Sequence, residues 1–205
     1  MLSRRVFLSC AGQLAVVGVW PARAQSVDAG PWATKLLAAA EAQVGVTTLY
    51  AAAYESIAYP GGDVPRDRGV CTDVLIRAYR DAFHCDLQRL VHEDMVARFA
   101  AYPKNWGLKR PDPNIDHRRV GNLQVFFRRY GQERPLTQNA GDYELGDIFT
   151  CLLPGNLPHI GLITAHKSSD GQRPLIIHNI GDGTRVEDRL LEFQLTGHFR
   201  YVPKA

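Results

Sequence analysis

The stretch Arg68-Gly69-Val70-Cys71-Thr72-Asp73-Val74-Leu75-Ile76-Arg77-Ala78-Tyr79 decides the fold of this chain. A glycine-bearing turn leads directly into a cysteine, and apolar residues then recur with the 3.6-residue period of a helix. Cys71 therefore lies in the first turn of a predicted amphipathic helix, where free N–H groups and the helix dipole favour an anion. A thiol at such a position ionises more readily than a free thiol, and the thiolate is the nucleophile. The stretch predicts a catalytic cysteine to which the rest of the fold presents a base.

Residues 1–24 have the pattern of an export signal. Ser3-Arg4-Arg5-Val6-Phe7-Leu8 precedes an apolar run from Leu14 to Trp20. Ala22-Arg23-Ala24 then supplies small residues for cleavage before Gln25. The apolar run is too short to span a membrane, and the paired arginines are typical of a twin-arginine signal. We therefore expect this segment to be removed and the mature protein to be periplasmic or secreted in a bacterium.

The charges of the mature chain are balanced. The whole chain has 24 Lys and Arg against 21 Asp and Glu. The charged residues before residue 25 are Arg4, Arg5 and Arg23, so the excess positive charge leaves with the signal. This balance gives no reason to expect nucleic acid as a partner. No second long apolar run follows, so we expect no stable membrane insertion after cleavage. The length predicts a single domain over residues 25–205 and leaves the oligomeric state open.

Three cysteines remain in the mature chain: Cys71, Cys85 and Cys151. An odd number in an exported protein leaves at least one free thiol or an intermolecular bridge. A bridge between Cys85 and Cys151 would leave Cys71 free for catalysis. Three reduced cysteines fit equally well if the chain folds before export, so the sequence leaves both alternatives open.

Apolar periodicity predicts four helices in the first two thirds of the chain. The first begins near Pro31 with Asp28 as its cap and ends at Gly45, and the second is the Cys71 helix. Asp86 caps the third. The predicted ranges are 31–45, 71–83, 87–102 and 120–130. Between the last two lies a polar, proline-rich loop over residues 103–119, part of a long insert from 87 to 143.

The remainder of the chain predicts strands. Runs rich in Ile, Leu, Val and Phe alternate with Gly, Pro and Asn turns, which is typical of antiparallel hairpins. A short helical piece is expected over residues 189–193. Helices followed by an antiparallel sheet predict the α+β class. The predicted strands are 146–153, 159–165, 174–179 and 198–202.

Two histidines lie on neighbouring predicted strands. His159 begins one strand and His178 ends the next, so an antiparallel hairpin brings them to the same end of the sheet. Their rings share a face only if directly opposed residue numbers sum to an odd total. With that register, one imidazole would serve as a base for the cysteine and the other would orient it.

The order of these residues resembles NlpC-type, papain-like cysteine peptidases of bacterial cell walls. In that superfamily a Tyr and a Gly pair precede the nucleophile, Gly-Asp opens a strand, and a His-Val-Gly-like strand supplies the base. Segments 90–95, 114–119 and 178–181 also resemble an uncharacterised bacterial branch, a domain of unknown function. The matching residues here are Tyr59, Gly61-Gly62, Cys71, Gly146-Asp147, His159-Ile160-Gly161-Leu162-Ile163 and Ile177-His178.

The resemblance implies a papain-like fold in which the nucleophile helix packs on an antiparallel sheet. It implies that Cys71 is the nucleophile, His159 the general base and His178 the orienting residue. Asn179 is an alternative orienting residue. Tyr59 is implied to hold the oxyanion beside the Cys71 backbone N–H. The implied activity is hydrolysis of amide bonds in the peptide stems of peptidoglycan.

Other residues are weaker candidates for the site. Asp73 supports the nucleophile or simply complements the helix dipole. Trp106, His117 and Arg118 in the long loop are candidates for binding a carboxylate-rich substrate, although such clusters are also common in solvated loops. The histidines and cysteines lack zinc-binding spacing, so we expect neither a metal nor another cofactor.

Two alternatives to hydrolysis stay open. The same thioester chemistry with an amine acceptor gives an acyl- or peptidyl-transferase. A wall-binding module that retains only a relic of the site is the non-enzymatic alternative. The intact set of one cysteine and two histidines favours an enzyme.

Overall fold

A computed structural model describes residues 30–204 of the protein. The predicted signal peptide and the predicted cap at Asp28 lie outside the described residues. Within residues 30–204, none of the helices has the length and apolar character needed to cross a membrane.

Four α-helices precede the main sheet, as the periodicity predicts. The first ends earlier than expected, since the chain leaves the helix after Glu41 and reaches Gly45 through turns. Asp86 does cap the third, because its side chain accepts a hydrogen bond from the Gln88 N–H. The helices are α1 (Pro31–Glu41), α2 (Cys71–Phe83), α3 (Leu87–Arg98) and α4 (Val120–Tyr130).

The start of α2 is fixed by Asp73. Its Oδ2 accepts a hydrogen bond of 2.7 Å from the Val70 N–H, which closes the turn that places Cys71 at the first helical position. A side chain at Gly69 would crowd this turn. A Cβ at Gly69 would lie 3.0 Å from Asp73 Oδ2 and 3.2 Å from the Arg77 guanidinium. The glycine before the cysteine therefore permits the close packing on which the cysteine's position depends.

Arg77 anchors the loop that leads into α2. Its side chain is fully buried and pairs with Asp63 at 2.9 Å. It also donates to Thr47 Oγ1 and to the backbone carbonyls of Val64 and Arg68. A buried guanidinium with so many acceptors holds several turns of irregular chain against one helix.

The structure contains eight strands in two sheets. A two-stranded parallel sheet is formed by β1 (Leu49–Tyr50) and β2 (Arg68–Gly69). The main sheet has six antiparallel strands in the order β3-β8-β4-β5-β6-β7, which confirms the α+β class. Its strands are β3 (Gln132–Glu133), β4 (Ile148–Leu153), β5 (Leu157–Lys167), β6 (Pro174–Asn179), β7 (Thr184–Glu187) and β8 (Gln194–Arg200).

Two predictions about the C-terminal region are wrong. Residues 189–193 form turns, not a short helix, because Arg189 and Phe193 flank a tight connection between two strands. The last strand starts at Gln194, earlier than the predicted residue 198. The strand β7 was not predicted, since its Thr-Arg-Val-Glu sequence follows a Gly-Asp-Gly turn and has little apolar character.

The sheet carries a separate apolar cluster on each face. Ile160, Leu162 and Ile177 point toward the helices and join the main core. Ile163 and Ile176 alternate with them and belong to a smaller cluster on the opposite face, which also holds Cys151. The long insert is part of the main core, since Leu87, Met95 and Phe127 from α3 and α4 are fully buried there.

Candidate active site

Cys71 lies at the N-terminus of α2, where the helix end meets the strand β5. Its exposure is 4%, so only a small part of the side chain reaches a surface. The N–H groups of Cys71 itself, Thr72 and Ile160 are directed at the sulfur. Helix end and strand thus surround the sulfur with donors, and Ile160 is the residue directly after His159.

Burial dominates the ionisation of this thiol. Desolvation raises the pKa of Cys71 to about 12, and the nearby charge of Asp73 raises it further. The three N–H donors act in the opposite direction and favour the thiolate, but they do not outweigh burial. The resting sulfur is therefore a thiol, which needs a base to become a nucleophile.

The two predicted histidines meet, and the register prediction is confirmed. Leu162 lies opposite Ile177 across β5 and β6, which gives an odd sum. The rings of His159 and His178 therefore share a face, and Nε2 of His159 lies 2.7 Å from Nδ1 of His178. Their ring centroids are 5.0 Å apart in an edge-to-face arrangement.

Glu187 on β7 extends this pair into a chain of three residues. Its Oε2 lies 2.8 Å from Nε2 of His178. Burial lowers the pKa of His178, although Glu187 partly offsets the effect, so the ring is neutral near pH 7. The carboxylate requires the proton of His178 on Nε2, which leaves Nδ1 to accept from Nε2–H of His159. His159 then carries its free lone pair on Nδ1.

That nitrogen is the one available for catalysis. Nδ1 of His159 has no hydrogen-bond partner within the described residues, yet it is not among their fully enclosed polar atoms. Burial, with a smaller contribution from His178, lowers the pKa of His159 to about 3. The ring is therefore neutral and able to accept a proton at physiological pH.

The Cys71 sulfur lies next to the backbone of Ile160, the residue after His159, but it is not hydrogen-bonded to either imidazole. Within residues 30–204, no hydrogen bond joins Cys71 Sγ to His159 or His178. The two rings lie on the sheet face opposite α2, because they alternate with Ile160 and Ile177, which face the helices. Cys71 lies on the side of the sheet that carries the helices, with its sulfur next to the Ile160 N–H of β5.

Asp73 and Arg118 form a buried ion pair beside Cys71. Arg118 Nε and Nη2 each donate to the Asp73 carboxylate at 2.9 Å. Asp73 also accepts from Val70, so the same carboxylate holds both the cysteine turn and the long loop. The structure thus places Asp73 as a positioning residue.

Asn179 lies beside the site on the other face of β6 from His178. Its Nδ2 donates to the Gly69 carbonyl at 3.1 Å, and its Oδ1 accepts from the Gly181 N–H at 3.3 Å. It therefore ties the turn before Cys71 to the end of the strand. Of the two predicted orienting residues, His178 is the one that contacts His159.

The structure places a different tyrosine near Cys71 from the one that was expected. Tyr59 is 42% exposed and packs edge-on against His92, 5.1 Å between centroids, so its placement does not support an oxyanion role. Tyr50 lines the same cavity as Cys71. Burial and the charges of Cys71 and Asp73 raise the pKa of Tyr50 to about 12, which keeps its phenol protonated.

A cavity of about 200 Å³ opens onto Cys71. Its walls come from three parts of the chain: the β1 segment, the long loop with the start of α4, and the start of β5. Neither imidazole lines it, although the residue before His159 does. The lining residues are Tyr50, Ala52, Tyr54, Val70, Cys71, Trp106, Ile115, Arg118, Arg119, Val120 and Pro158.

Among the loop residues proposed for substrate binding, Trp106 and Arg118 line the cavity and His117 does not. His117 is 2% exposed, and its Nδ1 has no partner within the described residues. Burial, reinforced by the charges of Arg118 and Arg80, lowers the pKa of His117 to about 3. Its expected role in binding is therefore wrong, because the side chain is packed inside the loop.

The chain matches the family described as Domain of unknown function (DUF1287) over residues 37–201. It is also 52% identical over 165 residues to "Uncharacterized protein YijF" of Escherichia coli (strain K12), covering 80% of each chain. The chain belongs to the DUF1287 family.

The remaining cysteines of this DUF1287 protein are free. Cys85 is half-buried and Cys151 is buried, and neither forms a disulfide within the described residues. Cys151 lies opposite His159 across β4 and β5. Residues 30–204 contain no group of three or more His, Cys, Asp or Glu side chains arranged to hold a metal ion.

Sequence reasoning missed three residues of this DUF1287 site: Tyr50, Arg119 and Glu187. Glu187 lies on the unpredicted strand β7, where only the Gly-rich turn after β6 signals a further hairpin. Tyr50 is brought to Cys71 by the short parallel pairing of β1 with β2. Arg119 follows Arg118 in the loop, where the sequence gives no sign that one arginine is paired and the other is not.

Proposed function

We propose that this DUF1287 protein is a cysteine-dependent amidase or endopeptidase. The supporting observation is the hydrogen-bonded chain from Glu187 through His178 to His159, next to the strand N–H that contacts the Cys71 sulfur. Such a chain fixes the tautomer of a base and stabilises the imidazolium that forms when the base accepts a proton.

The proposed reaction proceeds through a thioester. Nδ1 of His159 takes the thiol proton as Cys71 Sγ attacks the amide carbonyl carbon. The tetrahedral intermediate collapses when His159 returns that proton to the leaving amine, and the C–N bond breaks. Water, deprotonated by His159, then attacks the thioester carbonyl and releases the carboxylic acid and the thiol.

The states of both groups favour proton transfer during attack. The raised pKa of Cys71 and the lowered pKa of His159 share one cause, burial, and make the neutral pair the resting state. No hydrogen bond joins the sulfur to an imidazole within residues 30–204, so the proposal requires this contact to form, past Ile160, when substrate fills the cavity. Catalytic hydrogen bonds are often made only in the complex with substrate. The backbone N–H of Cys71 and the phenol of Tyr50 are the proposed donors to the oxyanion.

The proposed fold is papain-like and of the NlpC type. The support is the packing of the nucleophile helix α2 on an antiparallel sheet whose second and third long strands carry the base and its partner. The order Cys71, His159, His178 along the chain is the order expected from the resemblance. The α+β architecture itself is independent of this proposal.

The proposed substrates are the peptide stems of peptidoglycan. The predicted export signal would deliver the mature protein to the periplasm, where the wall is the abundant peptide polymer. The cavity at Cys71 is bounded by Tyr50, Tyr54 and Trp106, which offer aromatic surface to a peptide chain.

The test is a digest of purified muropeptides with the mature protein and with Cys71→Ala. We expect new amine and carboxylate termini by mass spectrometry with the parent protein alone, and a loss of about 10⁵-fold or more in the variant. Cys85→Ala is the matched control and should retain the activity, because Cys85 lies beyond the C-terminal end of α2, opposite to Cys71, and lines a different cavity. Identical digests from the parent protein and Cys71→Ala would reject hydrolysis by this cysteine.

Two alternatives have distinct signatures in the same digest. A transferase would yield acyl-amine adducts when a free amine is added, with little net hydrolysis. A wall-binding module is favoured by one observation, the raised pKa of Cys71. It would bind sacculi equally well before and after Cys71→Ala and would release no products.

A further inference from the structure

Arg119 stands out among the arginines of this protein. Within residues 30–204, every arginine except Arg110 and Arg119 forms an ion pair with a carboxylate. The Arg119 guanidinium also makes no hydrogen bond to the described residues, and its Nε is enclosed without an acceptor. A guanidinium has five donors and no acceptor, so leaving it unpartnered in a half-buried position is costly.

The position of Arg119 is fixed by its neighbours. Its guanidinium carbon lies 4.9 Å from the centroid of the Trp106 ring, which is a cation–π contact. Trp106 in turn packs close to Gly121 in α4, where an added Cβ would lie 3.4 Å from the indole. Arg119 and Cys71 line the same cavity of about 200 Å³, so an oriented set of donors faces the space above the sulfur.

The surrounding carboxylates are not free to neutralise Arg119. Asp73 is occupied by the bidentate contact with Arg118. Asp112 accepts from the Tyr54 hydroxyl at 3.0 Å, and Asp116 is fully buried against His92. The wall of the cavity is therefore electropositive in the absence of substrate.

The basic character continues beyond the Cys71 cavity. Tyr54 also lines a second, larger cavity of about 920 Å³, whose walls include Lys109 and Arg110. Neither of these two residues forms an ion pair within residues 30–204. A substrate peptide that extends from one cavity to the other would lie beside the unpaired charges of Arg119, Lys109 and Arg110.

We propose that Arg119 is a specificity residue that binds a carboxylate of the substrate next to the scissile amide. The substrate class is accordingly an acidic peptide, and this inference rests on the proposed function. A carboxylate accepts two parallel hydrogen bonds from a guanidinium fork, and the Trp106 ring fixes the plane of that fork. The bound carboxylate would give Arg119 the kind of partner that Arg118, the other arginine lining the cavity, already has in Asp73.

The first test compares two small alkylating reagents that differ in charge. Iodoacetate carries the carboxylate that Arg119 would attract, and iodoacetamide is its neutral counterpart. Rates at each cysteine are measured by mass spectrometry on the intact fold, with Cys85 as the internal reference. We expect the iodoacetate-to-iodoacetamide rate ratio to be higher at Cys71 than at Cys85, and to fall about tenfold in Arg119→Gln.

Two further variants separate the guanidinium from charge in general. Arg119→Lys keeps the charge without the fork and should restore only part of the ratio. Arg128→Gln removes one positive charge from an exposed pair with Glu133, lines neither the Cys71 nor the Cys85 cavity, and should leave the ratio unchanged. Equal ratios at Cys71 and Cys85, or an unchanged ratio in Arg119→Gln, would overturn the proposal while leaving the cysteine hydrolase intact.

A second test does not require a reactive thiol. Tryptophan fluorescence, to which Trp32 and Trp106 both contribute, is followed in Cys71→Ala as N-acetylglutamate is added. The neutral N-acetylglutamine amide is the comparison ligand. We expect a saturable response to the anion alone, lost in Arg119→Gln. Equal responses to both ligands would overturn carboxylate recognition. A Cys71 that neither reagent alkylates, together with a selective response here, would instead reject the nucleophile and leave Arg119 as a carboxylate-binding residue.

Discussion

The two sides of the Cys71 sulfur differ in how completely their polar groups are satisfied. On the sheet side, Glu187, His178 and His159 form a continuous chain with contacts of 2.8 and 2.7 Å. On the loop side, Arg119 faces the cavity without an acceptor, and Trp106 holds it there. The polar groups of the histidine chain are hydrogen-bonded to one another, whereas the Arg119 guanidinium has no acceptor within the described residues.

This difference separates chemistry from recognition. A base must keep one tautomer and one orientation through every turnover, so its partners belong to the protein. A recognition group gains affinity only from a partner that arrives with the substrate, and unpaired donors next to a nucleophile serve that purpose. Asp73 links the two sides, since it holds both the cysteine turn and Arg118.

The largest effect is expected from replacing Asp73, which joins the turn before Cys71 to Arg118. Asp73→Asn leaves the buried Arg118 guanidinium without its charge partner and weakens the cap of α2, and we expect a loss of about 3–5 kcal/mol in the free energy of unfolding. Urea denaturation at pH 7 measures it. Asp182→Asn removes one partner of an exposed pair with Arg185 and should cost less than about 1 kcal/mol. Similar losses in both variants would show that the Asp73 pair is not a structural link.

The next largest effect tests the hydrogen-bonded chain of Glu187, His178 and His159. Glu187→Gln preserves the size of the side chain but removes the charge that fixes the tautomers of His178 and His159, so kcat should fall about 10²-fold with little change in KM. Rates across pH on a muropeptide substrate measure it. Glu133→Gln, which alters an exposed pair with Arg128, should behave like the parent protein. A change in KM alone would place Glu187 in binding instead.

Two buried histidines, His159 in the proposed site and His117 in the loop, should both make the stability of the protein depend on acid pH. The pKa of both His159 and His117 is lowered to about 3 by burial, from 6.5. The unfolded chain therefore binds more protons between these values, so stability is complete above pH 6.5 and falls as the pH drops toward 3. The slope should be up to about 1.4 kcal/mol per pH unit for each ring.

Urea unfolding at pH 7 and pH 4.5 measures these contributions. His117→Gln should lessen the loss of stability on acidification and leave turnover unchanged. His159→Gln should lessen it by a similar amount and abolish turnover. An acid response that neither variant alters would mean that these rings do not become charged on unfolding.

Local patterns were sufficient to predict the elements that carry Cys71, His159 and His178. The helix starting at Cys71 follows from its apolar period, and the strand at residues 174–179 was predicted with its observed bounds. The register of His159 against His178 follows from a parity argument that needs no knowledge of the fold. These features depend on residues close in sequence, where backbone preferences dominate.

The features that were missed depend on long-range packing. Tyr50 reaches the cavity because a two-residue strand pairs in parallel with β2, which no local pattern indicates. Tyr59 has the expected spacing before the cysteine, but a cluster with His92 holds it elsewhere. Glu187 has the composition of a loop and becomes a strand residue only by pairing with β6.

The smallest effect concerns the two tyrosines. Tyr50→Phe removes the phenol that we propose as an oxyanion donor, and we expect kcat to fall about five- to tenfold. The effect should be smaller than for a fully enclosed donor because Tyr50 is 43% exposed. Tyr59→Phe keeps the edge-on packing against His92 and should leave kcat within about twofold. Both are measured on the same muropeptide under saturating conditions. The opposite ranking would restore Tyr59 to the site and show that the β1 segment moves away from Cys71 when substrate binds.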